Sequence, residues 1–123
     1  VLFSGDDVES NVHPYKGQAC FRDWMTAIET IMTMDIDVIV PGHGPVCDKA
    51  EAARMLSYFR QLWTEVKSLY DRGYSRDEVV KRLCPMQDYY PIDPSIEQRT
   101  RQRFDDGTAR MYDEIAGLYG GAC

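Results

Sequence analysis

Two histidines, four cysteines and a scatter of carboxylates are the residues with which this chain could bind a metal or move a proton. The most telling is His43, held between two glycines in Pro41-Gly42-His43-Gly44-Pro45, directly after Asp37-Val38-Ile39-Val40. Consecutive β-branched apolar residues read as a short buried strand. The Pro-Gly-His-Gly-Pro run reads as the turn that stops it. Pro41 lacks an N–H and is expected to end the ladder, while Gly42 and Gly44 admit backbone angles that a Cβ forbids. An imidazole so placed projects from the C-terminal end of a strand, where α/β proteins hold their ligands. A turn with a solvated histidine accounts for the same residues. Asp6 and Asp7 follow Val1-Leu2-Phe3-Ser4-Gly5 in a comparable way. Adjacent carboxylates repel unless solvated, hydrogen-bonded or bound to a cation, so a capped loop and a metal ligand both stay open for Asp6. His13 and Cys47 are further candidates, although a free cysteine is most often a small buried hydrophobe.

Hydrophobic periodicity supplies the elements that must position these groups. Phe21, Trp24, Met25, Ile28, Ile31 and Met32 form one apolar face of a helix over 21–34, with Asp23 complementing the dipole of its first turn. Strand, helix and strand 37–40 then make a βαβ unit, whose strands must be parallel with a right-handed crossover. Parallel strands end on the same edge, so Asp6 and His43 are expected to face one crevice. Residues 8–19 are expected to be loop.

Downstream, Asp48-x-x-Glu51 and Ser75-x-x-Glu78 read as capping boxes. The first opens a long helix carrying Ala52, Met55, Leu56, Phe59, Leu62, Trp63, Val66, Leu69 and Tyr70 on one face, ending at Gly73. The second opens a short helix stopped by Pro85, and a loop over 85–94 follows. Asp93 and Pro94 start a last helix whose face is Ile96, Phe104, Met111, Tyr112, Ile115, Leu118 and Tyr119, released at Gly120-Gly121. Arg99, Arg101 and Arg103 alternate, so they are expected to point around that helix as a solvated face.

A length of 123 residues suits one domain. The net charge of -6 argues against a nucleic-acid partner, since phosphate binding needs the opposite field. Residues 1–50 hold 8 acids against 3 bases and residues 51–123 hold 12 against 11, so the excess sits where the candidate ligands are. No apolar run approaches the roughly 20 residues of a membrane span, and no export leader is visible, which points to the cytoplasm. Cys20, Cys47, Cys84 and Cys123 form no C-x-x-C pair and are expected to be reduced thiols. The chain opens abruptly on an apolar strand, and two strands alone leave sheet edges uncovered. An upstream segment or a second copy of the chain is therefore the expected partner, with strand pairing or the Trp63 face as the contact of a homodimer.

Leu2-Phe3-Ser4-Gly5-Asp6, Trp24 in an amphipathic helix, and Val38-Ile39-Val40-Pro41-Gly42-His43-Gly44 together resemble the C-terminal half of metallo-β-lactamase-fold hydrolases. The later helices and Tyr112-x-Glu114 also resemble a tail found in one branch of these enzymes. The resemblance implies an α/β fold, namely a partial αββα sandwich (the βαβ unit, residues 1–47) followed by a mainly helical region, 48–123, packed on it as one compact domain. It implies one or two zinc ions, with Asp6 bridging two metals and His43 as terminal ligand on the second. It also implies hydrolysis of a small-molecule ester, thioester, lactone or lactam by metal-bound hydroxide. The His-x-His-x-Asp-His motif of that family is not in this sequence. With two ligands where catalytic zinc takes three, the isolated chain is expected to bind metal weakly and to hydrolyse little or nothing. The alternative is a non-catalytic, self-associating remnant or binding module of the same fold.

Overall fold

The computed structural model describes residues 1–17 and 19–118. Strand β1 (Leu2–Glu9) and strand β2 (Ile39–His43) pair in parallel, joined through helix α1 (Phe21–Thr33). Helices α2 (Lys49–Asp71), α3 (Arg76–Arg82) and α4 (Glu97–Ile115) follow, with 3₁₀ turns at Cys84–Tyr89 and Pro94–Ile96. The fold is therefore α/β, a βαβ unit followed by a mainly helical C-terminal region. No described helix is long and apolar enough to cross a membrane.

Both strands run further than their sequences suggest. Pro41 does not end the ladder, because β2 continues through it to His43. Ile39 turns its N–H and C=O away from β1, to Cys47 at 2.8 and 2.9 Å. Strand alternation puts the nitrogen of Pro41 on that same outer side, where a missing N–H breaks no bond to β1. Likewise β1 does not stop at Gly5, so the loop expected from residue 8 starts only after Glu9. Its register is irregular: Phe3 pairs with Val40, Gly5 with Pro41 and Glu9 with His43. Six steps along β1 thus match three along β2, the extra residues being taken up in bulges on either side of Gly5, between Phe3 and Gly5 and between Gly5 and Glu9, and the φ of Gly5 is +54°.

Helix α2 is the spine. Its buried stripe of Ala52, Met55, Leu56, Phe59, Leu62, Val66 and Leu69 repeats at helical spacing and carries the core shared with Val8, Phe21, Ile28, Ile39, Phe104 and Met111. Asp48 caps it by accepting from the Ala50 N–H, but the expected capping box is only half formed. Glu51 turns instead to the Asn11 N–H at 3.0 Å and to Arg54. Ser75 caps α3 through the Glu78 N–H, and α3 is fastened to α4 by a two-pronged Arg76–Asp113 pair at 2.9 and 3.0 Å. Helix α1 has no side-chain cap of its own. The Glu114 carboxylate, reaching over from the last turn of α4, accepts from the Phe21 and Arg22 N–H groups at 2.7 and 3.1 Å, a tertiary cap placed where the helix dipole favours negative charge.

Four expectations need correction. Ile96 and Leu118, assigned to the apolar face of the last helix, are exposed, and Thr108, taken as a break in it, is buried. Cys20 is disulfide-bonded, so only Cys47 and Cys84 are shown as free thiols. Residues 84–89 form a 3₁₀ turn rather than open loop. Arg99 and Arg103 are exposed, as expected of a solvated face, but being four residues apart they share one side of α4 rather than pointing around it. Arg101 is held by Glu97 of its own helix and by Gln87 of the 3₁₀ turn. Tyr119, Gly120, Gly121 and Cys123 lie outside the described residues.

Candidate metal centre

The parallel strands bring Asp6 and His43 together, as their shared edge requires. Asp6 Oδ1 lies 3.5 Å from His43 Nε2, with the side chains 74% and 67% exposed. That separation is long for a hydrogen bond. It matches two ligands of one tetrahedral zinc, which at bonds of about 2.1 Å stand roughly 3.4 Å apart. Glu9 joins them: one ligand atom from each of Asp6, Glu9 and His43 falls within 4.8 Å of the others. Sequence reasoning missed Glu9. In a regular strand residues three apart face opposite ways, and only the bulged register between Gly5 and Glu9 swings both carboxylates to one rim.

Close backbone approach fixes this geometry. A Cβ on Gly42 would overlap the Asp6 carboxylate and come within 2.8 Å of the Gly5 carbonyl carbon. A Cβ on Gly44, whose φ is +87°, would overlap the Ser10 carbonyl. Ser10 donates its N–H to the His43 carbonyl at 3.0 Å, closing the rim, and the Trp24 indole N–H holds the Asp7 carbonyl at 3.1 Å. The Glu9 N–H rests against the Met55 sulfur at 3.5 Å, which ties the bulge to α2.

Unlike its neighbours on the rim, Glu9 is buried. Loss of solvation pushes its carboxyl up to about 7, opposed by His43 and reinforced by the nearby Asp6 charge. A bound cation would reverse that shift by favouring the carboxylate. The donor set, one imidazole nitrogen and two carboxylates, fits zinc and the borderline divalent ions generally.

The other two candidates are not part of this group. Cys47 pairs through its backbone with Ile39, and burial raises its thiol pKa. His13 sits deeper, edge-on to Tyr58, Tyr90 and Phe104. Its Nε2 lies against the Gln87 carbonyl and its Nδ1 lies 3.4 Å from the Tyr58 hydroxyl. Hydrogen-bond logic therefore makes Nε2 the protonated nitrogen and Nδ1 an acceptor. The Lys16 ammonium, wholly buried, donates to the same hydroxyl at 2.7 Å and lies over the Phe104 ring. Burial drops His13 to about 4 and Lys16 to about 7, the latter opposed by Glu9.

A cavity of about 510 Å³ opens from the rim. Asp6, Glu9, His13 and His43 line one side, Arg99, Thr100 and Arg103 of α4 another, with Val12, Pro91, Ile92 and Phe104 between. No protein-family model matches the sequence, and comparison with the curated proteins gives no match. Fold and site geometry therefore carry the functional reading.

Proposed function

We propose that this chain is the metal-binding C-terminal portion of a metal-dependent hydrolase, with Asp6, Glu9 and His43 as the ligands of one divalent ion. The observation that carries the reading is the convergence of these three different donors at the mouth of a ligand-sized cavity. Zinc fits best, because catalytic zinc takes three protein ligands and leaves a position open. When bound, such an ion lowers the pKa of water and polarises a carbonyl, the chemistry of ester, thioester, lactone or lactam hydrolysis.

The chain's own residues have definable tasks. Asp6 and His43 are both exposed and would be directly accessible to an ion. Glu9, protonated in part at neutral pH, gives up its proton on binding, so affinity falls as pH drops below about 7. The apolar middle of the cavity excludes water from the substrate body. Three side chains would leave the ion's fourth position open, so the chain is expected to bind one ion.

Calorimetric titration of the metal-free chain with zinc tests this. One ion per chain is expected, with Glu9→Gln and His43→Gln each weakening it at least tenfold. Binding that neither substitution weakens removes the reading.

A second reading, a self-associating module, has one observation in its favour. The outer edge of β1 has no strand partner among the described residues, and Val1 and Phe3 beside it are 75% and 77% exposed. An open, apolar strand edge invites pairing with another chain. Analytical ultracentrifugation showing a monomer at all concentrations dismisses this reading.

A further inference from the structure

The 510 Å³ cavity is lined by charges of both signs, and Asp93, which lies just ahead of α4, accepts from the Ser95 N–H and hydroxyl. Asp6 and Glu9 lie with His43 at the strand rim, while Arg99 and Arg103 project from one face of α4. Five other arginines are matched to acids: Arg54 to Glu51, Arg60 to Glu29, Arg76 to Asp113, Arg101 to Glu97 and Arg110 to Glu114. Arg22, Arg72 and Arg82 lie over aromatic rings away from this cavity. Arg99 and Arg103 have no carboxylate partner among the described residues, in a chain whose net charge is -6. Arg103 is steadied over the Tyr15 ring at 5.2 Å, which leaves its N–H donors available. Two guanidinium groups one helical turn apart, beside apolar walls, have the makings of an anion clamp.

We infer that this cavity binds a small molecule with an apolar body and an anionic group, carboxylate or phosphate, held by Arg99 and Arg103. Resting on the hydrolase reading above, this makes the substrate an acyl compound with an anionic tail, its carbonyl at the Asp6–Glu9–His43 rim. The acidic rim repels a second negative group, so the anion is directed to the arginine wall. A cation at the rim lessens that repulsion, so metal and anion bind with positive coupling.

Hexanoate is a suitable probe, with 1-hexanol as its uncharged counterpart, each followed by chemical-shift titration of the metal-free chain. Hexanoate is expected to shift amides of residues 91–104 and to bind at least tenfold more tightly than hexanol. The exposed pair Arg99→Gln/Arg103→Gln is expected to remove that advantage while leaving hexanol binding and zinc affinity undiminished. In Asp6→Asn/His43→Gln, hexanoate binding is expected to persist although zinc binding is lost. Hexanoate binding that survives loss of both arginines, or that never exceeds hexanol binding, overturns the proposal. If the arginine dependence holds and zinc fails to bind, the anion site stands and the hydrolase reading falls. With inorganic phosphate as a second probe, competition with hexanoate shows that the clamp takes either anion, and absence of competition narrows it to carboxylates.

Discussion

His43 and His13 line the same cavity at different depths, and depth decides what each can do. His43 stands on the rim, two-thirds exposed, with a carboxylate 3.5 Å away and a second within ligand distance. His13 is enclosed by three aromatic rings, with both nitrogens engaged by Tyr58 and Gln87. Only the first is free to bind an ion. The second is a structural base, held neutral by burial and linked through the Tyr58 hydroxyl to a buried lysine. Two residues of one type, in one cavity, are thus separated by solvation and by the hydrogen bonds already made. The rim offers ligand atoms open to solvent, whereas both nitrogens of His13 are already engaged.

The strongest way to break the contrast is to show that the interior is not under electrostatic tension. Lys16 titrates near 7 in the fold against 10.5 in the open chain, so the unfolded state holds the proton more tightly. Stability should therefore climb between about pH 7 and 10.5, by roughly 4 kcal/mol at about 1.4 kcal/mol per unit. Urea unfolding of Lys16→Met, compared at pH 7 and 9.5, should show that climb flattened.

Next in size, His13 and Glu9 should act in opposition. His13, lowered from 6.5 to about 4, makes the fold lose stability as pH falls through that window. Glu9, raised from 4.5 to about 7, contributes stability that is present below 4.5 and lost as pH rises to 7. Each effect is about 3 kcal/mol, and they nearly cancel in the metal-free protein. Denaturation across pH 4–7 should reveal the His13 slope in Glu9→Gln and the reverse slope in His13→Gln. Equal slopes in both variants would contradict these assignments.

Gly42→Ala probes the rim itself. The added methyl displaces the Asp6 carboxylate, which should weaken zinc binding by at least tenfold at a stability cost of about 1–3 kcal/mol. Smallest of all, Arg60→Ala removes an exposed pair with Glu29 and should change stability by under about 1 kcal/mol and zinc affinity not at all.

Much of this arrangement was legible in the sequence, for reasons that also mark where legibility stopped. Spacing of apolar residues placed α1 and α2 to within a residue or two, because helix faces repeat with a fixed period. The rule that parallel strands finish together put Asp6 beside His43. The same alternation rule concealed Glu9, since a bulge changes which face a residue occupies and leaves little trace beyond the glycine that opens it. Pro41 reads as a terminator only if its missing N–H faces the neighbouring strand; on the outer side it costs nothing. The i, i+4 spacing of Arg99 and Arg103 puts them on one side of α4, a relation that the i, i+2 alternation of three arginines conceals. Lys16 had no local signal at all. Its one clue lies in α4, where Gly107 leaves room for the lysine stem that any Cβ would strike.

One ion held by three named side chains is the central claim, and anomalous scattering locates such an ion without reference to activity. A crystal of the chain soaked in zinc and measured at the zinc absorption edge should give one strong peak, bonded to Asp6, Glu9 and His43 together. A peak elsewhere, for instance on Cys47 and Asp48, or none at all at saturating zinc, would contradict the account.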